Sequence, residues 1–235
     1  MSRERYVGLI PARGGSKRLP RKNIAPFLGR PMLMWTVEAA TSAGIFDRIV
    51  VSTEDAEIAD LALSAGVEVD HRREDLATDN ASVVDVCLEF LACEEARGTT
   101  YDVLCCLYPT APMRDKDDVL ETMRLVCSRR FDYAIAMTHF ALPPHQAMKM
   151  EEEQRVTPMW PDLVKKRSED IGQLVVDNGS TYAARVAAFK KERSFYSPNC
   201  GSYIMPRRRS VDIDLPEDLV IAELFARHLN SGNVN

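Results

Sequence analysis

The sequence predicts an α/β protein built around a mostly parallel sheet. Short runs rich in β-branched residues alternate with segments of helical periodicity, as in βαβ units. The 235 residues are 46% hydrophobic and 28% charged, which is typical of a globular domain large enough to bury a core. This composition excludes a disordered, collagen-like or coiled-coil chain, and we expect a single domain over residues 1–235.

Regular elements are expected throughout the first 138 residues. Their β-branched and continuously apolar character predicts strands at 6–10, 48–52, 67–69, 102–107 and 133–138. Helical periodicity fills the segments between them, and a proline before a helix or a glycine after it marks its boundary. The expected helices are 32–43 (Pro31, Gly44), 55–65 (Gly66), 83–97 (Ser82, Gly98) and 117–128.

The alternation breaks at residues 139–176. This segment is rich in Pro, Met, Lys and Glu, lacks a clear period and is too long for an ordinary connection. We expect an insertion here that covers the site or forms a subunit interface. After it, the pattern predicts strands near 180–184, 202–205 and 210–213, and helices at 186–192 and 217–229.

Charge is distributed unevenly along the chain. The net charge of −5 argues against general binding to nucleic acids or membrane surfaces, and no apolar run approaches the roughly 18 residues of a membrane span. Six cysteines without metal-type spacing, and a start without a signal-peptide pattern, indicate a cytoplasmic protein. Residues 5–37, however, contain seven Lys and Arg and no acid, which indicates an anion site.

The loop at residues 11–23, Pro-Ala-Arg-Gly-Gly-Ser-Lys-Arg-Leu-Pro-Arg-Lys-Asn, leaves the first strand where parallel sheets place their ligands. Two glycines let backbone N–H groups approach an anion, a serine adds a hydroxyl, and three cations supply charge-assisted donors. These residues are Gly14, Gly15, Ser16, Arg13, Lys17 and Lys22. The pattern is neither a Walker A loop nor Gly-x-Gly-x-x-Gly. It favours a triphosphate site, and the alternative is a solvated basic loop.

Asp212 and Asp214 form a second motif. Two carboxylates two residues apart on a strand project to the same face and can share a hard cation. The same residues also fit a helix start, with Asp214 as N-cap, Pro216 in the first turn and Glu217 at the third position. The residues alone leave both interpretations open, and capping does not exclude metal binding.

Five segments together resemble one enzyme family. Residues 11–23, 29–32, 51–55, 108–112 and 211–218, in this order, resemble the cytidylyltransferases that activate acidic nine-carbon sugars, the CMP-sialic acid synthetase group. The resemblance implies a Rossmann-like three-layer α/β/α nucleotidyltransferase fold. It also implies a homodimer in which the insertion is a lid or dimerisation element at the partner's site. In the implied reaction the sugar's anomeric hydroxyl attacks the α-phosphorus of CTP, with Mg²⁺ as cofactor and loss of pyrophosphate.

The resemblance implies roles for individual residues. The implied nucleotide-binding residues are Ala12, Arg13, Gly14, Gly15, Ser16, Lys17, Lys22, Asn23, Ser82, Asp85 and Tyr108. The implied catalytic residues are Arg13, Lys22 and Asp214, and Mg²⁺ would be held by Asp212 and Asp214. The residues alone favour a helix cap for Ser82 and Asp85, and Tyr108 also fits a core position.

The nature of the sugar rests on a further set of matches. Tyr108, where the sialic acid branch has Gln, and segments 143–149 and 165–170 resemble the pseudaminic acid branch. The implied sugar-binding residues are Gln146, Lys149, Arg167, Asn178 and Tyr182, with Lys149 and Arg167 for the carboxylate. Glu169, where Gln is expected, and residues 177–182 depart from that branch. We predict CMP-pseudaminic acid synthesis. The alternatives are CMP-N-acetylneuraminate or CMP-legionaminate synthesis, activation of the eight-carbon acid Kdo, and a non-catalytic nucleotide-binding regulator.

Overall fold

The fold is described by a computed structural model over residues 3–78 and 81–231. Within these ranges the strands are β1 Tyr6–Pro11, β2 Pro26–Phe27, β3 Arg30–Pro31, β4 Arg48–Thr53, β5 Glu68–His71, β6 Val103–Leu107, β7 Tyr133–His139, β8 Met148–Met150, β9 Val156–Pro158, β10 Val175–Arg185 and β11 Cys200–Ile204. The helices are α1 Met32–Ala43, α2 Ala56–Ser64, α3 Val83–Ala96, α4 Lys116–Cys127, α5 Ser168–Ile171, α6 Val186–Glu192 and α7 Pro216–Asn230. None of these helices has the length and apolar character needed to cross a membrane.

The central sheet has seven strands in the order β11-β7-β10-β6-β1-β4-β5. The pairs β1–β4, β1–β6, β4–β5 and β7–β11 are parallel, whereas β10 runs antiparallel to both of its neighbours. The predicted mostly parallel α/β sheet is thus confirmed. Because β1, β4 and β6 point the same way, the loops that follow them meet at one edge of the sheet, where α/β proteins bind ligands.

Two apolar clusters cover the two faces of this sheet. On one face, α1 and α4 pack on β1 and β6, and on the other face α3 and α6 do so. The neighbouring thiols of Cys105 and Cys106 point to opposite faces, since alternate residues of a strand face opposite sides. All five residues of β6 are buried, which explains its unbroken apolar sequence. The three-layer α/β/α arrangement is therefore confirmed.

Local signals placed most elements correctly, but not every one. Helix α1 has the predicted bounds, and Gly44 ends it with a φ of 62°, which glycine adopts readily. The strand predicted at 210–213 is wrong. This segment follows a 3₁₀ turn, Arg207–Arg209. A hydrogen bond from Ile213 N–H to the Thr110 carbonyl oxygen at 2.8 Å ties it to the loop after β6.

The segment predicted as an insertion contains regular structure. Strands β8 and β9 form an antiparallel hairpin, and the short helix α5 follows. The segment presents large apolar side chains to solvent, including Leu142, Met150 and Trp160. Strand β10 already begins at Val175, so the irregular part is slightly shorter than expected. A role for this segment as a lid or dimer contact remains a prediction.

Candidate active site

A cleft of about 360 Å³ opens at the edge of the sheet where β1 and β6 end. Its walls come from the loop after β1, the loop after β6, the stretch between β5 and α3, and residues 212–214 before α7. The fold therefore brings together Lys22 and Asp214, which are 192 positions apart in the sequence. The predicted phosphate loop and the predicted carboxylate pair share one site.

Hydrogen bonds hold both ends of the loop after β1. The Ala12 N–H donates to the Ser52 carbonyl oxygen at 2.9 Å, and the Ala12 methyl group is buried in the core. The buried Asn23 side chain donates from Nδ2 to the Arg13 carbonyl oxygen at 2.8 Å. Ala12 and Asn23, both predicted to bind nucleotide, thus shape the loop. Of the two, Asn23 also lines the cleft.

Cationic side chains gather in a second concavity of about 240 Å³ beside the cleft. Its lining residues are Arg13, Gly15, Ser16, Lys17, Arg18, Lys22 and Asn23. Arg13, Lys22 and Asn23 line both spaces, so the two lie side by side at these residues. A Cβ at Gly15 would meet nothing within 4 Å, which leaves the backbone open to a ligand. Such a concentration of positive donors suits a polyanion.

Gly14 lies against two acids at the end of β4. Its N–H donates to Glu54 Oε1 at 2.7 Å, so the amide predicted to bind phosphate is directed at a carboxylate in this structure. A Cβ at this position would collide with the Asp55 carboxylate, so only glycine fits. Asp55 in turn holds Arg21. Acids at the end of β4 therefore anchor the basic loop.

Asp214 is bound by two of the loop cations. Lys22 Nζ lies 2.6 Å from Asp214 Oδ1, and an Arg18 guanidinium nitrogen lies 2.7 Å from Oδ2. Partial burial raises the pKa of Asp214, but the hydrogen bonds and charges of Lys22 and Arg18 outweigh it and leave the pKa below its usual value. Asp214 is therefore an ionised carboxylate.

Asp212 lies in a different environment in the same cleft. Burial, which is the largest effect, and the negative charge of Asp214 raise the pKa of Asp212 to about 6, against the opposing effect of a hydrogen bond with the Thr110 side chain. Its Oδ1 is buried without a hydrogen-bond partner among the described residues. Its other oxygen lies against Gly179, where a Cβ would come within 2.5 Å of it. A buried carboxylate oxygen without a partner is costly unless something binds it.

These two carboxylates fit the Mg²⁺ that the family resemblance implies. In the described part of the chain there is no cluster of three or more His, Cys, Asp or Glu that could hold a metal. Mg²⁺ is commonly held by one or two carboxylates, with water and substrate phosphate as its other ligands. The unpartnered Asp212 oxygen and the adjacent ionised Asp214 supply such a pair.

Asp214 is not the N-cap of α7, so that prediction is wrong. The cap position is Leu215, and the Asp218 carboxylate accepts from the backbone N–H groups of Asp214 at 3.0 Å and Leu215 at 2.7 Å. Sequence reasoning considered Glu217 and overlooked Asp218, which is one residue further on. Because Asp218 satisfies these N–H groups, the Asp214 side chain faces the cleft.

An aromatic pair forms the wall of the cleft at the end of β6. Tyr108 lines the cleft, and its ring packs against that of Tyr182 with centroids 5.0 Å apart. The Tyr182 hydroxyl donates to Asp177 at 2.9 Å. Burial raises the pKa of both phenols, so they stay neutral at physiological pH. Tyr182, predicted to bind sugar, thus supports Tyr108 from behind.

Ser82 and Asp85 form the cap of α3. The Ser82 hydroxyl oxygen accepts from the Asp85 N–H at 3.1 Å and donates to the Asp85 carboxylate at 2.7 Å. Capping, one of the two interpretations, is thereby confirmed. The neighbouring Ala81 and Val83 line the cleft, whereas Ser82 and Asp85 do not. Contact of Ser82 and Asp85 with a nucleotide remains a prediction.

The other predicted sugar-binding residues lie outside this cleft. Gln146, Lys149 and Arg167 are exposed on the segment that contains β8 and β9, and Arg167 pairs with Asp170 at 3.4 Å. Asn178 is buried, and its amide contacts the Met205 sulfur and the Ser180 and Ser210 hydroxyl groups. The structure therefore brings together the residues predicted for the phosphate site, but it does not bring together the residues predicted to bind the sugar.

A family model described as cytidylyltransferase matches residues 7–162. The chain belongs to the cytidylyltransferase family. It is 34% identical to a pseudaminic acid cytidylyltransferase of Campylobacter jejuni over 92% of this chain and 94% of that protein. It is 30% identical to the CMP-N,N'-diacetyllegionaminic acid synthase of Legionella pneumophila, over 93% of this chain and 95% of that one. The protein is thus a nucleotidyltransferase, as predicted.

Solved structures share the fold of this cytidylyltransferase. A CMP-2-keto-3-deoxy-manno-octonic acid synthetase, solved in complex with CTP, superposes with a TM-score of 0.69 at 18% identity, covering 97% of this chain and 100% of that one. A 4-diphosphocytidyl-2C-methyl-D-erythritol synthase from Anaerococcus prevotii gives 0.65 at 12% identity, covering 95% of this chain and 99% of that one. These similarities confirm the predicted nucleotidyltransferase fold.

The cytidylyltransferase site also depends on two arginines that sequence reasoning missed. The fully buried Arg114 donates to the carbonyl oxygens of Tyr108 at 3.2 Å and Ser180 at 2.7 Å, and to the Thr36 hydroxyl at 2.7 Å. Burial lowers the pKa of Arg114 to about 10, so it remains charged at neutral pH. Arg72 lines the cleft and donates to the Ser52 carbonyl oxygen at 2.7 Å. A position directly after a strand was the one signal that could have singled out Arg72.

Proposed function

We propose that this cytidylyltransferase transfers CMP from CTP to the anomeric hydroxyl of a nine-carbon acidic sugar and releases pyrophosphate. The observation that carries this proposal is that the cation-lined concavity adjoins the cleft that contains Asp212 and Asp214, with lining residues in common. A triphosphate would place its charged end among the cations and its nucleoside in the cleft. The reacting α-phosphate would then lie near Lys22, which lines both spaces.

The residues of the chain would act mainly by positioning groups and balancing charge, which is most of what nucleotidyl transfer requires. Arg13, Lys17 and the Gly15 backbone would hold the β- and γ-phosphates. Lys22 would offset the charge that develops at the α-phosphate. Asp212 and Asp214 would hold Mg²⁺, which supplies Lewis acidity at the phosphates when bound.

The shape of the cleft supports recognition of a nucleoside. Tyr108 forms one wall, and the apolar side chains of Leu76, Ala81 and Val83 line another part. A flat base can pack on such surfaces, and backbone groups between them can select its polar edge. The half-buried Arg72 guanidinium would add a fixed donor in the same cleft.

Pseudaminic acid is the substrate that we propose. The 34% identity to the Campylobacter jejuni enzyme and the Tyr at position 108 support it, compared with 30% identity to the Legionella pneumophila enzyme. Gln146, Lys149 and Arg167 do not line the cleft of their own subunit. We therefore propose that they reach the sugar of a partner subunit in a homodimer, across the exposed apolar surface of the β8–β9 segment.

The test is an assay with CTP, Mg²⁺ and a panel of pseudaminic, legionaminic, N-acetylneuraminic and eight-carbon acids. Pyrophosphate release and product mass are measured with and without EDTA. We expect CMP-pseudaminic acid to form fastest, and EDTA to stop its formation. Faster turnover of another acid would reassign the sugar. No release with any acid would favour a non-catalytic nucleotide-binding regulator. Light scattering that shows a monomer at micromolar concentration would contradict the homodimer.

A further inference from the structure

Asp214 occupies the donors that a phosphate group would need. Its two carboxylate oxygens are held separately, Oδ1 by Lys22 at 2.6 Å and Oδ2 by Arg18 at 2.7 Å. Both cations line the concavity of about 240 Å³. The Lys22 side chain is only 18% exposed, so this ion pair is screened less by water than a surface pair. A carboxylate of the protein thus sits where the phosphate donors converge.

A phosphate oxygen cannot use these donors fully while Asp214 holds them. The carboxylate also repels an incoming triphosphate, since both are anions. Asp214 has an alternative partner, because the buried oxygen of Asp212 two residues away offers a divalent cation a second carboxylate ligand. A cation bound by Asp212 and Asp214 would neutralise Asp214 and release Lys22 and Arg18.

We propose that Asp214 couples divalent cation binding to triphosphate binding by competing with phosphate for Lys22 and Arg18 until the cation binds. This makes Arg18, an arginine without a role in the sequence analysis, a phosphate-binding residue of the site. The coupling is reciprocal, so each ligand strengthens the binding of the other. This inference rests on the proposed function, because it takes CTP to be the ligand of the concavity.

Calorimetric titration of the full-length protein with CTP tests this competition, first in EDTA and then in Mg²⁺. In EDTA, Asp214→Asn should bind CTP about fivefold more tightly than the unaltered protein, because one ion pair and one like charge are removed. Loss of a metal ligand alone would leave the affinity in EDTA unchanged. Asp214→Ala should behave like Asp214→Asn, so the result does not depend on one variant folding. Unchanged or weaker CTP binding by both variants in EDTA would overturn the proposal.

A double-mutant cycle tests the role of Arg18. In EDTA, Arg18→Gln should weaken CTP binding more in the Asp214→Asn background than in the unaltered protein, because Asp214 no longer occupies Arg18. Arg30→Gln is the matched control. It removes a cation from the same acid-free stretch, but Arg30 pairs with Glu38 outside the cleft, so its effect should be equal in both backgrounds. Equal effects of Arg18→Gln in both backgrounds would refute the role of Arg18.

The assay with the sugar panel separates the two proposals. If the unaltered protein forms a CMP-sugar but the Asp214 variants gain no affinity in EDTA, the coupling is wrong and the function stands. If the unaltered protein binds no CTP in Mg²⁺, the proposed function is wrong and the coupling fails with it.

Discussion

Gly179→Ala should damage the carboxylate pair from outside the cleft. Gly179 lies in the irregular part of β10, where pairing with β7 shifts register between Asp177 and Tyr182. A Cβ at position 179 would lie 2.5 Å from Asp212 Oδ2 and 2.8 Å from its Cγ. Since side chains do not tolerate such contacts, the Asp212 carboxylate would have to move. The new methyl group therefore acts directly on a proposed Mg²⁺ ligand.

Two separate contributions determine how much Gly179→Ala lowers the free energy of unfolding. Gly179 has a φ of 66°, a conformation that costs an alanine roughly 1–2 kcal/mol. Overpacking against Asp212 adds about 1–3 kcal/mol. We therefore expect the free energy of unfolding to fall by about 2–5 kcal/mol, from the sum of these two costs. Mutation of a group that contacts a metal ligand typically costs about 10- to 100-fold in metal affinity or activity, and we expect kcat/KM to fall by a factor in this range.

Gly44→Ala is the matched control. Gly44 has a φ of 62°, and a Cβ there would meet nothing within 4 Å, so this variant carries the backbone cost without the collision. Urea denaturation gives the stability of both variants, and CMP-sugar formation over a Mg²⁺ titration gives their activity. The Gly44 variant should lose about 1–2 kcal/mol and keep its turnover. Equal turnover and an equal Mg²⁺ requirement in the two variants would refute the reasoning.

Three further predictions concern the residues around the cleft. Lys22→Ala should lower kcat about 100-fold while changing the KM for CTP little, and an effect confined to KM would assign Lys22 to uniform substrate binding. Arg114→Lys should lower the free energy of unfolding by about 2 kcal/mol in urea denaturation, because an ammonium cannot reach all three acceptors, and unchanged stability would contradict this. The hydrogen bond from Arg21, which is the largest effect, lowers the pKa of Asp55. The ionised Asp55 carboxylate therefore stabilises the fold at pH values above its ordinary pKa near 4. This stabilisation is lost as the pH falls through the folded-state pKa of Asp55. Asp55→Asn should thus lower the free energy of unfolding by about 1 kcal/mol at pH 7 and by progressively less as the pH falls through that folded-state pKa. A cost that does not change with pH would exclude the ion pair.

The elements that sequence reasoning predicted well are those with local causes. Helix α1 begins after a proline and ends at a glycine of positive φ, and both signals lie within the segment itself. Strand β6 is recognisable because all five of its residues are apolar. The direction of β10 and the absence of a strand at 210–213 depend on partners distant in sequence. The Ile213 N–H bonds to Thr110, more than a hundred residues away, and no local pattern encodes that choice.

The residues of the site also differ in whether a local sequence pattern could predict them. Arg13, Lys17 and Lys22 could be found because glycine, hydroxyl and cationic residues coincide after a strand, and this loop does line a cleft. The role of Arg114 could not be predicted, because it consists of hydrogen bonds to three acceptors that come from α1, the end of β6 and the bulge of β10. A single arginine forms no sequence motif, so nothing in the sequence around it indicates these acceptors. The same limit applies to Asp218, whose capping role appears only when the start of α7 is known.

The acid-free stretch shows why a charge count alone cannot define the site. Arg21 pairs with Asp55 and Glu57, and Arg18 and Lys22 pair with Asp214, so acids from distant segments neutralise much of the positive charge. Asp55 and Glu57 hold a loop arginine outside the two concavities, whereas Asp214 holds cations that line one of them. The first two acids therefore fix the shape of the loop, and Asp214 alone among these three can change the charge that a ligand meets. The positive potential of the site is thus adjustable at one residue, and that residue is also a proposed ligand of the divalent cation.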